Sequence, residues 1–111
     1  MGVQVILNQH IGPLPIKTQF HAPSDGPACL VVSGSVWTAT TDQKIGIEVS
    51  IDGVKVGSAS IFSNMATTHR AVVPTYIPMK LTFGEHTLEL SQETAVTLSD
   101  FNDFFTAVLD Y

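Results

Sequence analysis

Charge is scarce in this sequence: charged residues occupy 14% of its 111 positions, against about 25% in a typical soluble domain. With 44% apolar residues, the shortage excludes intrinsic disorder, which needs low hydrophobicity and high charge. Basic residues are the scarcer sign, 5 against 10 acidic for a net charge of -5. Lys17, Lys44, Lys55, Arg70 and Lys80 are scattered, so the basic stripe of a nucleic-acid binder is missing and anionic membrane surfaces are disfavoured. A single cysteine, Cys29, excludes an intrachain disulfide scaffold, and its place in the apolar run 28–32 makes it a packing residue rather than a nucleophile. No apolar run approaches the roughly 20 residues of a transmembrane helix, so no membrane insertion is expected. The first residues lack a charged segment followed by a long apolar one, so no signal peptide is expected. The compartment stays open, an extracellular surface or a virion included.

Helical periodicity is weak throughout, and what replaces it is a period of two. Ile45, Ile47, Val49 and Ile51 alternate with Gly46, Glu48 and Ser50, as in a strand with one buried face. Asp52-Gly53 then gives the strongest two-residue hairpin signal, and Val54-Lys55-Val56 begins the return. Pairing Ile51 with Val54 and Val49 with Val56 keeps the face apolar. Continuing would set Ile47 against Ser58, and one extra residue at Gly57-Ser58 restores Ile47 to Ala59 and Ile45 to Ile61. The register therefore predicts a β-bulge there. Met79, Leu81 and Phe83, then Gly84-Glu85, then His86, Leu88 and Leu90 predict a second hairpin, with Leu81 opposite Leu88.

Further strands are read at Val3, Val5 and Leu7, along Ala28, Leu30, Val32, Gly34 and Val36, near Ile61 and Ala71, and along Phe105, Ala107, Leu109 and Tyr111. The proline-rich stretches 13–15, 23–27 and 74–78 read as loops or edge segments. The expectation is all-β: one antiparallel β-sandwich domain over residues 1–111, jelly-roll-like, with eight to nine strands.

The reverse faces of these strands are apolar as well, which calls for a cover. Val31, Trp37, Phe104 and Val108 are the residues expected to bury that surface against another subunit, making the chain a homo-oligomer.

Chemistry-bearing patterns are few. His10, His21, His69 and His86 show no metal-ligand spacing; His86 abuts a turn and His69 is read as facing solvent. Asp100-Phe101-Asn102-Asp103 clusters oxygen atoms, but the calcium-loop pattern fails at Phe104, and a polar turn introducing the last strand is the plainer reading. No nucleophile elbow or glycine-rich phosphate loop is present. The expectation is a non-enzymatic protein with no cofactor and no metal. Trp37 and Tyr76 could stack on sugar rings, with Asp42, Asn64 and Asn102 hydrogen-bonding hydroxyls, which makes a glycan the alternative partner.

Two stretches resemble carbohydrate-binding jelly rolls of the galactose-binding-like class. Ile51-Asp52-Gly53-Val54-Lys55-Val56-Gly57 is similar to their strand-turn-strand element, and residues 81–90 with Asp103-Phe104-Phe105 are similar to their closing strands. The resemblance spans about residues 45–109 and implies a β-sandwich, usually non-catalytic and often glycan-binding. The chain also resembles trimeric jelly rolls of the tumour-necrosis-factor and complement type and viral or phage surface proteins. That likeness implies subunit interfaces built from apolar strand faces, hence an oligomerising structural module of virion or cell-surface assemblies, with the lectin-like module as the alternative.

Overall fold

The alternation builds strands throughout the chain. The computed structural model describes residues 2–111, and among them there is no helix. The strands are β1 (Val3–Ile11), β2 (Ile16–Ala22), β3 (Gly26–Val36), β4 (Gln43–Ile51), β5 (Val54–Ser63), β6 (Arg70–Ala71), β7 (Thr75–Leu81), β8 (Gly84–Gln92) and β9 (Phe104–Asp110). They form two antiparallel sheets. One runs β1-β9-β3, with β6 and β7 both pairing along β3, and the other runs β2-β8-β4-β5. The expected sandwich is therefore present.

The core lies between the sheets. Leu30, Val32 and Val36 of β3 and Phe105, Ala107 and Leu109 of β9 face Ile45, Ile47 and Val49 of β4 and Leu88 and Leu90 of β8, all buried. Each fully buried large apolar side chain stabilises the fold by about 1.5–3 kcal/mol.

The β4–β5 hairpin follows the expected register at Ile51↔Val54, Ile47↔Ala59 and Ile45↔Ile61. The bulge falls one residue earlier than expected. Val49 pairs with Gly57, and Ser50 with Lys55, so Val56 is the extra residue. Gly57 lies flat against Ile77, where a Cβ would come within 3.0 Å of the Ile77 side chain, so it belongs in the paired ladder.

The second hairpin is corrected. Gly84 makes the turn with φ of +121°, but β7 pairs with β3 (Ile77↔Leu30, Leu81↔Gly26) while β8 inserts between β2 and β4. The chain crosses from one sheet to the other at this turn. Leu81 and Leu88 reach the core from opposite sheets, and the same alternation serves either arrangement.

Two further differences concern the N-terminal strands. In β1, Val3 and Val5 point outward and Leu7 inward, because the pairing with β9 shifts between Val5 and Leu7. β2 was not expected as a strand. Its alternation Ile16, Thr18, Phe20, Ala22 is diluted by Thr18, yet it pairs with β8 over its whole length.

Candidate functional site

Three loops meet at one end of the sandwich: residues 37–42 after β3, 64–69 after β5 and 93–103 before β9. They are tied together through their backbones. Trp37 and Leu98 exchange N–H···O bonds of 2.9 and 2.8 Å, and Thr67 N–H donates to Thr38 O at 2.7 Å. Leu14 N–H donates to Ser99 Oγ at 2.8 Å, which fastens the β1–β2 connection to the same end.

Asp103 is the hub. It is buried, with no exposed surface, and accepts three hydrogen bonds: from Ser35 Oγ at 2.6 Å, from His69 Nδ1 at 2.7 Å and from the Asp100 N–H at 2.8 Å. Asp103 as carboxylate can only accept, so His69 Nδ1 donates to it and Nε2 is left facing away from it. That nitrogen lies 3.7 Å from Asp100 Oδ2. Asp100 Oδ1 in turn accepts the Asn102 N–H at 2.8 Å, the local side-chain-to-backbone bonding expected of a polar turn. The turn lifts Phe101 into solvent, 75% exposed, between Asp100 and Asn102.

Trp37 packs its indole against the His69 ring, centroids 5.7 Å apart. Its Nε1 is buried and without a hydrogen-bond partner. Trp37, expected at a subunit interface, is half-buried, partly covered within its own chain by the 37–98 bridge and His69. His69 is exposed, as expected, while its Nδ1 is tied to the buried Asp103 carboxylate.

Of the residues expected to bind a ligand, Trp37, Asp42, Asn64 and Asn102 stand at this loop end. Asp42 directly precedes and Asn64 directly follows the terminal Gln43↔Ser63 pair of β4 and β5, and both are exposed. Tyr76 does not join them. It lies mid-strand on β7, 72% exposed, opposite Val31. Val31, Val108 and Phe104, the other expected interface residues, share the outer face of the β1-β9-β3-β7 sheet, where the row Val5↔Val108↔Val31↔Tyr76 crosses four strands.

Sequence reasoning did not select Phe101, His69 or Asp100 as ligand contacts. Asp100 and Phe101 were visible within an oxygen-rich turn, whereas His69 lies 34 positions from Asp103 and only the fold joins them.

The arrangement offers an exposed ring, two polar side chains on the same turn and an oriented imidazole. Beside them Thr38, Thr40, Ala95, Val96 and Leu98 line a shallow recess of about 190 Å³. Ser35, Asp103 and His69 do not make a nucleophilic triad. The carboxylate stands between the hydroxyl and the imidazole, whereas the base must stand between the nucleophile and the acid.

At the opposite end His86 bridges the two turns. Its Nδ1 lies 2.6 Å from Asp52 Oδ2 and its Nε2 2.7 Å from Thr82 O. Both partners are acceptors, so the protonated ring, with a donor on each nitrogen, satisfies both. The Thr82 carbonyl and then Asp52 raise the His86 pKa above the ordinary histidine value. Hydrogen bonds from His86 and from the Thr87 N–H lower that of Asp52.

No protein-family model and no curated protein sequence matches the chain. Solved structures match its architecture. A family 35 carbohydrate-binding module from Clostridium thermocellum aligns with a TM-score of 0.56 at 18% identity, over 91% of this chain and 72% of that one. The C-terminal domain of EclA, a sugar-binding protein, aligns with a TM-score of 0.53 at 14% identity, over 99% of this chain and 79% of that one. A β-glucosidase from Paenibacillus barengoltzii aligns with a TM-score of 0.61 at 13% identity, over 97% of this chain and 10% of that one. At these identities the likeness is one of fold: over its described residues the chain is a nine-stranded β-sandwich of the jelly-roll kind found in family 35 carbohydrate-binding modules.

Proposed function

We propose that the protein is a non-catalytic carbohydrate-binding module and that its sugar site is the loop end. The observation that carries this reading is Phe101: an exposed ring on a hydrogen-bonded turn between Asp100 and Asn102. A sugar presents an apolar CH face ringed by hydroxyls, and an aromatic face flanked by hydrogen-bonding groups is its complement. The names of the structures that share the fold support the same reading. Glycan-array screening followed by titration monitored through the single tryptophan tests it. The expected result is saturable binding of an oligosaccharide that Phe101→Ala abolishes in a folded protein. Silence across neutral and acidic oligosaccharides, or binding indifferent to Phe101→Ala, overturns it.

A second reading, self-association of the kind found in virion or surface assemblies, is favoured by the apolar row Val5, Val108, Val31 and Tyr76. Magnitude puts it second. Four strands about 4.8 Å apart and seven residues at about 3.3 Å give a footprint of roughly 400 Å², half of the roughly 800 Å² per partner of a standard stable interface. The face supports a weak dimer with a second copy of this chain rather than a permanent assembly.

A further inference from the structure

We propose that His69 Nε2 and Asp100 Oδ2 bind a divalent transition-metal cation of the zinc class, oriented by Asp103. The inference shares Asp100 with the proposed sugar site, and its test needs no sugar. Three observations meet at these residues.

The first is the direction of the imidazole. Asp103 fixes the tautomer by accepting from Nδ1 at 2.7 Å, and Asp103 is itself fixed by Ser35 Oγ and the Asp100 N–H. A carboxylate on one ring nitrogen of histidine leaves the other as a basic, oriented donor, which is how metal-binding histidines are held.

The second is spacing. Nε2 and Asp100 Oδ2 are 3.7 Å apart, too far for a hydrogen bond. Two bonds of about 2.0–2.1 Å, the usual Zn–N and Zn–O lengths, span this gap at an angle of about 130°. Closing to the tetrahedral angle needs a movement of a few tenths of an ångström. His69, Asp100 and Asp103 all bring a donor atom within 4.8 Å of one another.

The third is charge. Among the described residues the ion pairs of Asp100 and Asp103 are with His69 alone, and neither has a lysine or arginine within 4.0 Å. Two carboxylates share one imidazole ring, whose Nε2 faces the second of them.

A nitrogen donor beside a carboxylate selects zinc-like cations over Ca²⁺ and Mg²⁺, which take oxygen ligands. With two protein ligands the ion keeps open positions for water, so binding is weak and reversible.

The test is calorimetric titration of tag-free protein with Zn²⁺, and with Co²⁺ monitored by quenching of Trp37, whose ring lies 5.7 Å from His69. One saturable event is expected. His69→Gln and the surface change Asp100→Asn each weaken it at least about tenfold. Asp103→Asn weakens it about 10–100-fold with the circular dichroism spectrum unchanged. His21→Gln, which alters the exposed His21–Glu85 pair at 3.0 Å, leaves it intact. Absence of a saturable event, an event that survives His69→Gln, or displacement by equimolar Ca²⁺ overturns the proposal. The first of these results would identify His69 as an internal clamp for the two carboxylates.

Discussion

Burying a carboxylate is costly unless its oxygens are satisfied, and Asp103 meets that condition with donors from three separate stretches of chain. Asp103→Ala removes the acceptor and strands a serine hydroxyl and a backbone N–H. A loss of about 3 kcal/mol in urea unfolding is expected, and Asp103→Asn, which keeps one acceptor oxygen, should lose less. At the other end the His86–Asp52 pair makes stability depend on pH in a fixed direction. His86 titrates above its ordinary value when folded, so its contribution is complete below that value and is lost as pH rises through the raised one. Asp52 titrates below its ordinary value, so its contribution is present above that value and is lost as pH falls through the lowered one. The thermal midpoint should therefore peak between the lowered Asp52 value and the raised His86 value and decline as pH rises through the latter. In His86→Gln that decline should flatten, which differential scanning calorimetry across pH reads directly. At this scale the sequence was partly legible. The 100–103 turn bonds its own backbone as its composition dictates, whereas the partnership of His69 with Asp103 depends on β5, β6 and β9 arriving at one end and leaves no local trace.

Strand elements were legible wherever one face alone is buried. In β4 a slip of one residue would put Ile45, Ile47, Val49 and Ile51 into water, so the pattern determined both the strand and most of its register. The bulge needed one correction because Val56 and Gly57 both leave the apolar face intact, and the contact of Gly57 with Ile77 lies outside the hairpin. The crossing between β7 and β8 was not legible. Alternation reports which side chains are buried and is blind to whether two apolar rows lie side by side in one sheet or face each other across a core. The proline-bounded 74–78 stretch did carry the right hint, since Pro78 sits in β7 at a sheet edge. Close approach of strands explains another residue type: a Cβ on Gly46 would collide with the backbone oxygen of Ala59 and the Cα of Ser60 in the paired strand. Gly46→Ala should therefore cost about 1–3 kcal/mol through overpacking. Gly53→Ala, at φ of +82° in an open turn, should cost about 1 kcal/mol from backbone conformation alone. Parallel denaturant curves of the two variants check the order.

For the whole molecule, the sandwich separates two surfaces that the sequence placed together. Val31, Val108 and Phe104 share the outer sheet face, whereas Trp37 lies just past the end of β3, in the loop end. The two surfaces can therefore be disabled independently. The open face is exposed at Tyr76 and half exposed at Phe104, 49%, so a charge at either position meets water in the monomer and leaves the core untouched. Burying that charge against a second copy would carry a desolvation penalty of several kcal/mol, more than a footprint of roughly 400 Å² can offset at about 25 cal/mol per Å² once the cost of association is included. Sedimentation velocity over a rising concentration series should thus show weak, reversible dimers for the parent chain and monomers throughout for Tyr76→Glu and Phe104→Glu. Sugar titrations of those variants should match the parent per site, with any avidity toward immobilised glycan reduced because dimers present two sites at once. A parent chain that stays monomeric at the highest concentration removes the open face from consideration as an interface, and leaves the loop end as the sole surface with an argued role.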